Sequence, residues 1–128
     1  MCRGRLSVIV LTSHNVYIYI NMKKILRFYL SNTDTLRHVS LYEEIARAAQ
    51  REGLAGATVL QGIMGYGKAS KLRSNKVWEL NVKYPIVVEI IDDEEKLRSF
   101  LDKILLTLES QPKGILVTLQ DVDVVLCK

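Results

Sequence analysis

The segment Tyr84-Pro-Ile-Val-Val-Glu-Ile-Ile-Asp-Asp93 limits the fold most, because it is apolar at both strand parities. Ile86, Val88 and Ile90 share one side of an extended chain, while Val87 and Ile91 share the other with Glu89. A strand of that kind has to be covered on both faces. Pro85 stands at its first position, where a missing N–H matters least. Ile25 to Leu30 behaves alike, with Ile25 and Tyr29 on one side and Leu26, Phe28 and Leu30 on the other. Glu89, alone among apolar neighbours, is expected to pair with a Lys or Arg across a subunit interface.

Two helices separate these strands from two others. Ser40 with Glu43 forms a capping-box pattern ahead of Leu41, Ile45, Ala48 and Ala49, an apolar stripe closed by Gly53. Asp92, Asp93, Glu94 and Glu95 suit the positive end of a second helix, whose stripe is Leu97, Phe100, Leu101, Ile104, Leu105 and Leu108. Ala57 to Met64 reads as a strand, and Val77 to Val82 as the returning arm of a hairpin. Gln111-Pro-Lys-Gly114 breaks the chain before a last strand, Ile115 to Leu119, extended by Val122 to Cys127.

The order is βαββαβ, which defines an α+β, ferredoxin-like sandwich. Two helices cover only one face of a four-stranded sheet, so strands apolar on both sides imply an obligate oligomer. Regular patterning starts at Met22. Residues 1–21 are expected to be a non-native or disordered extension, and residues 22–128 the domain.

The formal charge of +4 is unevenly placed. Residues 65–83 hold Lys68, Lys71, Arg73, Lys76 and Lys83 against Glu79, a balance of +4, and residues 1–21 add Arg3 and Arg5. Residues 22–64 and 84–128 therefore sum to −2 (4 − 4 − 2). Charge this local suits one anionic ligand or partner and argues against coating by nucleic acid. Cys2 and Cys127 have no metal-like spacing, so no structural disulfide and a reducing cytoplasm are expected, with Cys127 a small apolar residue ending a strand. No apolar run is long enough for a membrane helix.

Gly62, Gly65 and Gly67 punctuate the end of the second strand beside the basic segment. Such a turn lets backbone N–H groups approach an anion, although glycine turns are common without ligands. Trp78 and Tyr66 offer surfaces on which a base could stack. His38 has no partner in sequence and reads as a surface residue. No nucleophile stands beside a base, which argues against an enzyme.

From Met22 onward the chain closely resembles the PII-like DUF190 family of domains of unknown function found in bacteria and archaea. The resemblance lies in Leu41-Tyr-Glu-Glu-Ile45, Gly56-Ala-Thr-Val-Leu60, Gly62-Ile-Met-Gly-Tyr-Gly67, Pro85-Ile-Val-Val-Glu-Ile-Ile-Asp92 and Gly114-Ile-Leu-Val-Thr118. It implies a ferredoxin-like homotrimer related in architecture to nitrogen-regulatory PII proteins, which bind adenine nucleotides in inter-subunit clefts and reach partners with a mobile loop. Gly65, Tyr66, Gly67 and Lys68 match the Gly-aromatic-Gly-basic pattern at the base of that loop. Lys113 and Gly114 occupy the place of a second phosphate-contacting loop, here shorter and less basic. The glutamine those proteins use for 2-oxoglutarate falls near Ala69 and is missing. The implied role is a cytoplasmic regulator without a resident cofactor or metal, sensing an anionic ligand such as an adenine nucleotide. Its partner loop would carry Lys71, Arg73, Lys76 and Trp78 toward a transporter, channel or enzyme. The alternatives are a nucleic-acid-binding or purely structural interaction module.

Overall fold

The computed structural model describes residues 7–11, 17–20, 23–67, 73–74 and 83–128. In chain order, β1 (Ser7–Leu11) and β2 (Tyr17–Ile20) pair with each other as a separate two-stranded sheet. Then come β3 (Lys23–Ser31), β4 (Thr35–Leu36), β5 (Val39–Ser40), α1 (Leu41–Arg51), β6 (Ala57–Gln61), β7 (Met64–Gly65) and β8 (Arg73–Ser74). The chain ends with β9 (Pro85–Asp93), α2 (Glu94–Glu109) and β10 (Leu116–Asp121).

The main sheet is antiparallel, in the order β10-β3-β9-β6. Its central ladder pairs β3 with β9 along their whole lengths, from Lys23 opposite Asp93 to Ser31 opposite Pro85. Strand order and element order together are those of a ferredoxin-like sandwich.

Parity decides which side each residue serves. Leu26, Phe28 and Leu30 of β3, with Ile86, Val88 and Ile90 of β9, are buried against Leu41, Ile45 and Ala49 of α1 and Leu97, Phe100 and Leu108 of α2. Phe28 and Phe100 meet edge to face, ring centroids 6.5 Å apart, which joins the middle strand to the second helix. At the other end of the sheet, buried Asp92 accepts from the backbone N–H of Ala55 at 2.9 Å and ties β9 to the segment entering β6.

The opposite face has no helix over it. Its rows run across all four strands: Leu116, Tyr29, Val87 and Leu60 in one, Thr118, Arg27, Glu89 and Thr58 in the next. The first row is entirely apolar, yet Leu60 is 48% exposed and Leu116 59%. In the second, Glu89 accepts from Arg27 Nε at 2.7 Å within the same chain, so the expected inter-subunit pair forms inside one subunit. Arg27 also donates to Gln120 at 2.9 Å, and the bond to Glu89 is the main cause holding its pKa above the ordinary value.

Several local expectations change. Ser40 is the N-cap of α1 but makes no side-chain capping bond. Glu43 accepts from Arg47 one turn on instead, an i,i+4 pair that competes for its carboxylate. The helix ends as the sequence suggests, with Gly53 at φ 77°. The second strand stops at Gln61, three residues early, because Gly62 turns over Pro85. The last strand runs only to Asp121, and residues 122–128 carry no strand. Cys127 is exposed and disulfide-bonded, not a free apolar strand end. The returning arm expected over Val77 to Val82 lies outside the described residues.

Candidate functional site

Strand polarity brings four connections to one end of the sheet. Ser31 pairs with Pro85, Gln61 with Ile86 and Tyr29 with Leu116, so β3 and β6 finish where β9 and β10 begin. The loop Ser31–Asp34, the glycine turn after Gln61, the residues before Pro85 and the loop 111–115 therefore share that end.

The first loop is built from its own polar side chains. Buried Asp34 accepts from the N–H of Ser31 at 2.9 Å, while its carbonyl accepts from the N–H of Leu41 at 2.8 Å. Asn32 is clipped to Tyr84 twice: its N–H donates to the Tyr84 carbonyl at 3.0 Å, and its Oδ1 accepts from the Tyr84 N–H at 2.6 Å. That clip extends the β3–β9 ladder past the sheet and fixes the floor of the site.

Two walls lean over the floor from opposite edges. From the β6 side, the Gly62 N–H donates to the Pro85 carbonyl at 2.7 Å. A Cβ on Gly62 would stand 2.7 Å from Pro85 Cγ, so only glycine fits that approach. Neither Gly62 nor Gly65 has a positive φ, which removes the left-handed turn expected there. From the β10 side, Lys113 Nζ donates to Thr33 Oγ1 at 3.4 Å, above the end of β3. Edge strands β10 and β6 lie three inter-strand spacings apart, about 14 Å. Lys113 reaches the loop after β3 through Thr33, and Gly62 and Gly65 stand beside Pro85 at the start of β9.

Of the residues singled out from sequence, Gly65, Lys113 and Gly114 stand at this end, with Tyr66 and Gly67 directly following Gly65. Tyr66 is 75% exposed. Arg73 lies in β8, its backbone paired with that of Gly65, so the basic segment starts and returns beside the glycine turn. Lys68, Lys71, Lys76 and Trp78 lie outside the described residues. Asn32, Thr33 and Tyr84 were not anticipated. The polar run Ser31-Asn-Thr-Asp34 between strand and helix was their signal, and it reads equally well as an ordinary loop. His38 is exposed, as expected, with φ 68° in the tight turn between β4 and β5.

Among the described residues no group of three His, Cys, Asp or Glu is placed to hold a metal. No described helix is long and apolar enough to cross a membrane. Among the described residues, the site offers an incoming group the Lys113 ammonium and the exposed ring of Tyr66 beside the glycine turn. That set suits an anion carrying a planar ring.

Sheet order, helix placement and the loops gathered at one sheet end define a PII-like, ferredoxin-like fold. The chain belongs to the DUF190 family, described as an uncharacterized ACR, whose model matches residues 23–124. A UPF0166 protein of Aquifex aeolicus is 40% identical over 103 residues, covering 80% of this chain and 93% of that protein. A UPF0166 protein of Methanocaldococcus jannaschii is 36% identical over 81 residues, 63% of this chain and 74% of that one. Among solved structures, CPII, a nitrogen regulatory PII-like protein from Thiomonas intermedia K12 bound to ADP, AMP and bicarbonate, aligns with a TM-score of 0.55. It is 18% identical, and the alignment covers 78% of this chain and 87% of CPII.

Proposed function

We propose that this protein is a homotrimeric PII-like regulator that senses a small anionic ligand, first among candidates an adenine nucleotide. The ligand would sit in clefts completed by neighbouring subunits, and a basic loop of residues 68–83 would act on a partner protein such as a transporter, channel or enzyme. The observation that carries this reading is the approach of Lys113 and the glycine turn from opposite edges over one clipped floor. The adenine nucleotides bound by CPII, which shares the fold, support the choice of ligand.

In this reading Gly65 and Gly67 present backbone N–H groups to phosphate oxygens. Lys68 and Lys113 supply charge from the two sides, Tyr66 stacks or covers the base, and Gly114 lets the loop backbone approach. Lys71, Arg73, Lys76 and Trp78 contact the partner. The uncovered apolar row of Leu116, Tyr29, Val87 and Leu60 supports burial of that sheet face between subunits.

Calorimetry with AMP, ADP and ATP tests the proposal. Lys113→Ala and Lys68→Ala each remove one charge-assisted contact, worth about 1.5–3 kcal/mol, and should weaken binding roughly ten- to a hundredfold. Absence of binding to the unmodified protein, or binding by both variants as tight as that of the unmodified protein, overturns the nucleotide assignment.

A further inference from the structure

Three of the four residues from Ile63 to Tyr66 are large, mostly apolar and bare: Ile63 is 84% exposed, Met64 57% and Tyr66 75%. The backbone imposes this. Gly62 and Gly65 both lie against Pro85, where a Cβ on the first would stand 2.7 Å from Pro85 Cγ and one on the second 3.4 Å. The Gly62 N–H is bound to the Pro85 carbonyl, and Gly65 is paired with Arg73 between β7 and β8. The chain is thus pinned at both glycines, and Ile63 and Met64 between them are left on the solvent side. Burial of an isoleucine or a methionine is favourable, so a backbone that holds both outward calls for a surface to receive them.

The sequence around this corner carries charge of one sign. From Gly53 to Trp78 there is no Asp or Glu, and residues 65–83 balance at +4. Lys83, two residues before the start of β9, and Lys113 stand at the same end of the sheet. Exposed apolar side chains among cations, with no acid between them, match the two layers of a membrane surface. Apolar groups enter the boundary of the acyl chains, while lysines and arginines meet anionic headgroups.

The geometry points to an anionic lipid surface as the partner of this corner, with Ile63 and Met64 entering the interface and the neighbouring basic residues holding the headgroups. Tyr66 is left to the ligand, and the two other apolar side chains carry the insertion. One further step rests on the trimer reading above. Rotation about a cyclic axis keeps every copy of a residue at one height, so three such corners share a plane. A bilayer is flat and can meet all three together, and three weak contacts then hold as one. No described helix is long and apolar enough to cross a membrane, so this attachment is peripheral and yields to salt.

Vesicle flotation of the full chain tests the proposal. Vesicles of mixed phosphatidylcholine and phosphatidylglycerol should carry the protein up a density gradient, vesicles of phosphatidylcholine alone should not, and added salt should release it. In Ile63→Ser/Met64→Ser, partition to the anionic vesicles should fall at least about tenfold. Its Tm should stay within about 2 °C, because both side chains are exposed. Flotation undiminished by the double substitution overturns the insertion, since charge alone then accounts for binding. Absence of flotation with either lipid mixture overturns the proposal outright and assigns the corner to a protein partner. Light scattering on the same sample separates this from the trimer reading. A trimer that does not float refutes lipid docking alone, whereas a monomer that floats upholds the lipid corner and refutes the three-point contact.

Discussion

Replacing Gly62 by alanine should damage the protein, and the same change at Gly65 should not. Neither residue has a positive φ, so the cost in each case comes from what the new Cβ meets. At Gly62 the Cβ falls 2.7 Å from Pro85 Cγ and 3.4 Å from the Pro85 carbonyl oxygen. Ordinary carbon contacts lie near 3.5–4.0 Å. The Gly62 N–H donates to that same carbonyl at 2.7 Å, so the residue cannot swing clear without lengthening its bond. Overpacking of this size costs about 1–3 kcal/mol. At about 2 kcal/mol, and about 4–8 °C per kcal/mol for a domain near 100 residues, Gly62→Ala should lower Tm by about 8–16 °C. At Gly65 the nearest atom is 3.4 Å away, an ordinary contact, and the change should stay within about 0.5 kcal/mol. Scanning calorimetry on the two variants decides it. Equal melting temperatures, or a larger loss at Gly65, would refute the claim that close approach to Pro85 is what demands glycine here. The contrast also serves the binding experiments, because Gly65→Ala changes the candidate site in a protein that still folds.

Two further outcomes bear on local structure and on domain limits. Arg37 and His38 both sit at positive φ, 50° and 68°, in the two-residue turn between β4 and β5, a conformation that costs a non-glycine residue about 1–2 kcal/mol. His38→Gly should therefore raise Tm by several degrees in thermal denaturation, and a fall would show that the imidazole makes a stabilising contact. Under reducing conditions, which open the Cys127 disulfide of the full protein, a chain beginning at Met22 should melt within about 2 °C of it, since β1 and β2 pair only with each other among the described strands; a loss of 5 °C or more would place residues 1–21 inside the domain.

The fold was legible where burial acts on parity. Apolar residues at both parities along Ile25 to Leu30 and Pro85 to Ile91 marked the two strands that lie at the centre of the sheet, and the six-residue stripe of α2 marked the clearest helix. Leu97, Phe100 and Leu108 of that stripe are buried, as the spacing requires. The misreadings fall where local chemistry had two comparable outlets. The carboxylate of Glu43 could close the capping box at Ser40 or pair with Arg47, and the ion pair prevailed. Glu89 could reach across an interface or to Arg27 on the neighbouring strand, and the in-register neighbour was nearer. Val122 to Cys127 has the composition of a strand, but β10 lies at an edge, with β3 already engaged on both sides by β10 and β9. A strand needs a partner ladder, and composition alone does not supply one.

The candidate site was legible as a pair of loops, not as a place. Gly65-Tyr-Gly67 and Lys113-Gly114 are separated by nearly fifty residues, and nothing in their spacing says that they share an end of the sheet. Strand order supplies that information: with β3 and β9 central and antiparallel, the exits of β3 and β6 meet the entries of β9 and β10. The floor is less visible still, because Asn32 works through two backbone bonds to Tyr84, and a residue that serves backbone groups leaves no side-chain pattern to read. A consequence follows for mutagenesis. Asn32→Ala removes the acceptor for the Tyr84 N–H, a group too close to the ladder to find water easily, and should cost about 1–3 kcal/mol of stability. Lys113→Ala removes only an exposed side chain with one long bond to Thr33, and should leave Tm within about 2 °C. If both variants lose nucleotide binding, only the loss in Lys113→Ala speaks for direct contact with the ligand. If Lys113→Ala melts as low as Asn32→Ala, the lysine is part of the scaffold and its place as an anion-binding wall has to be given up.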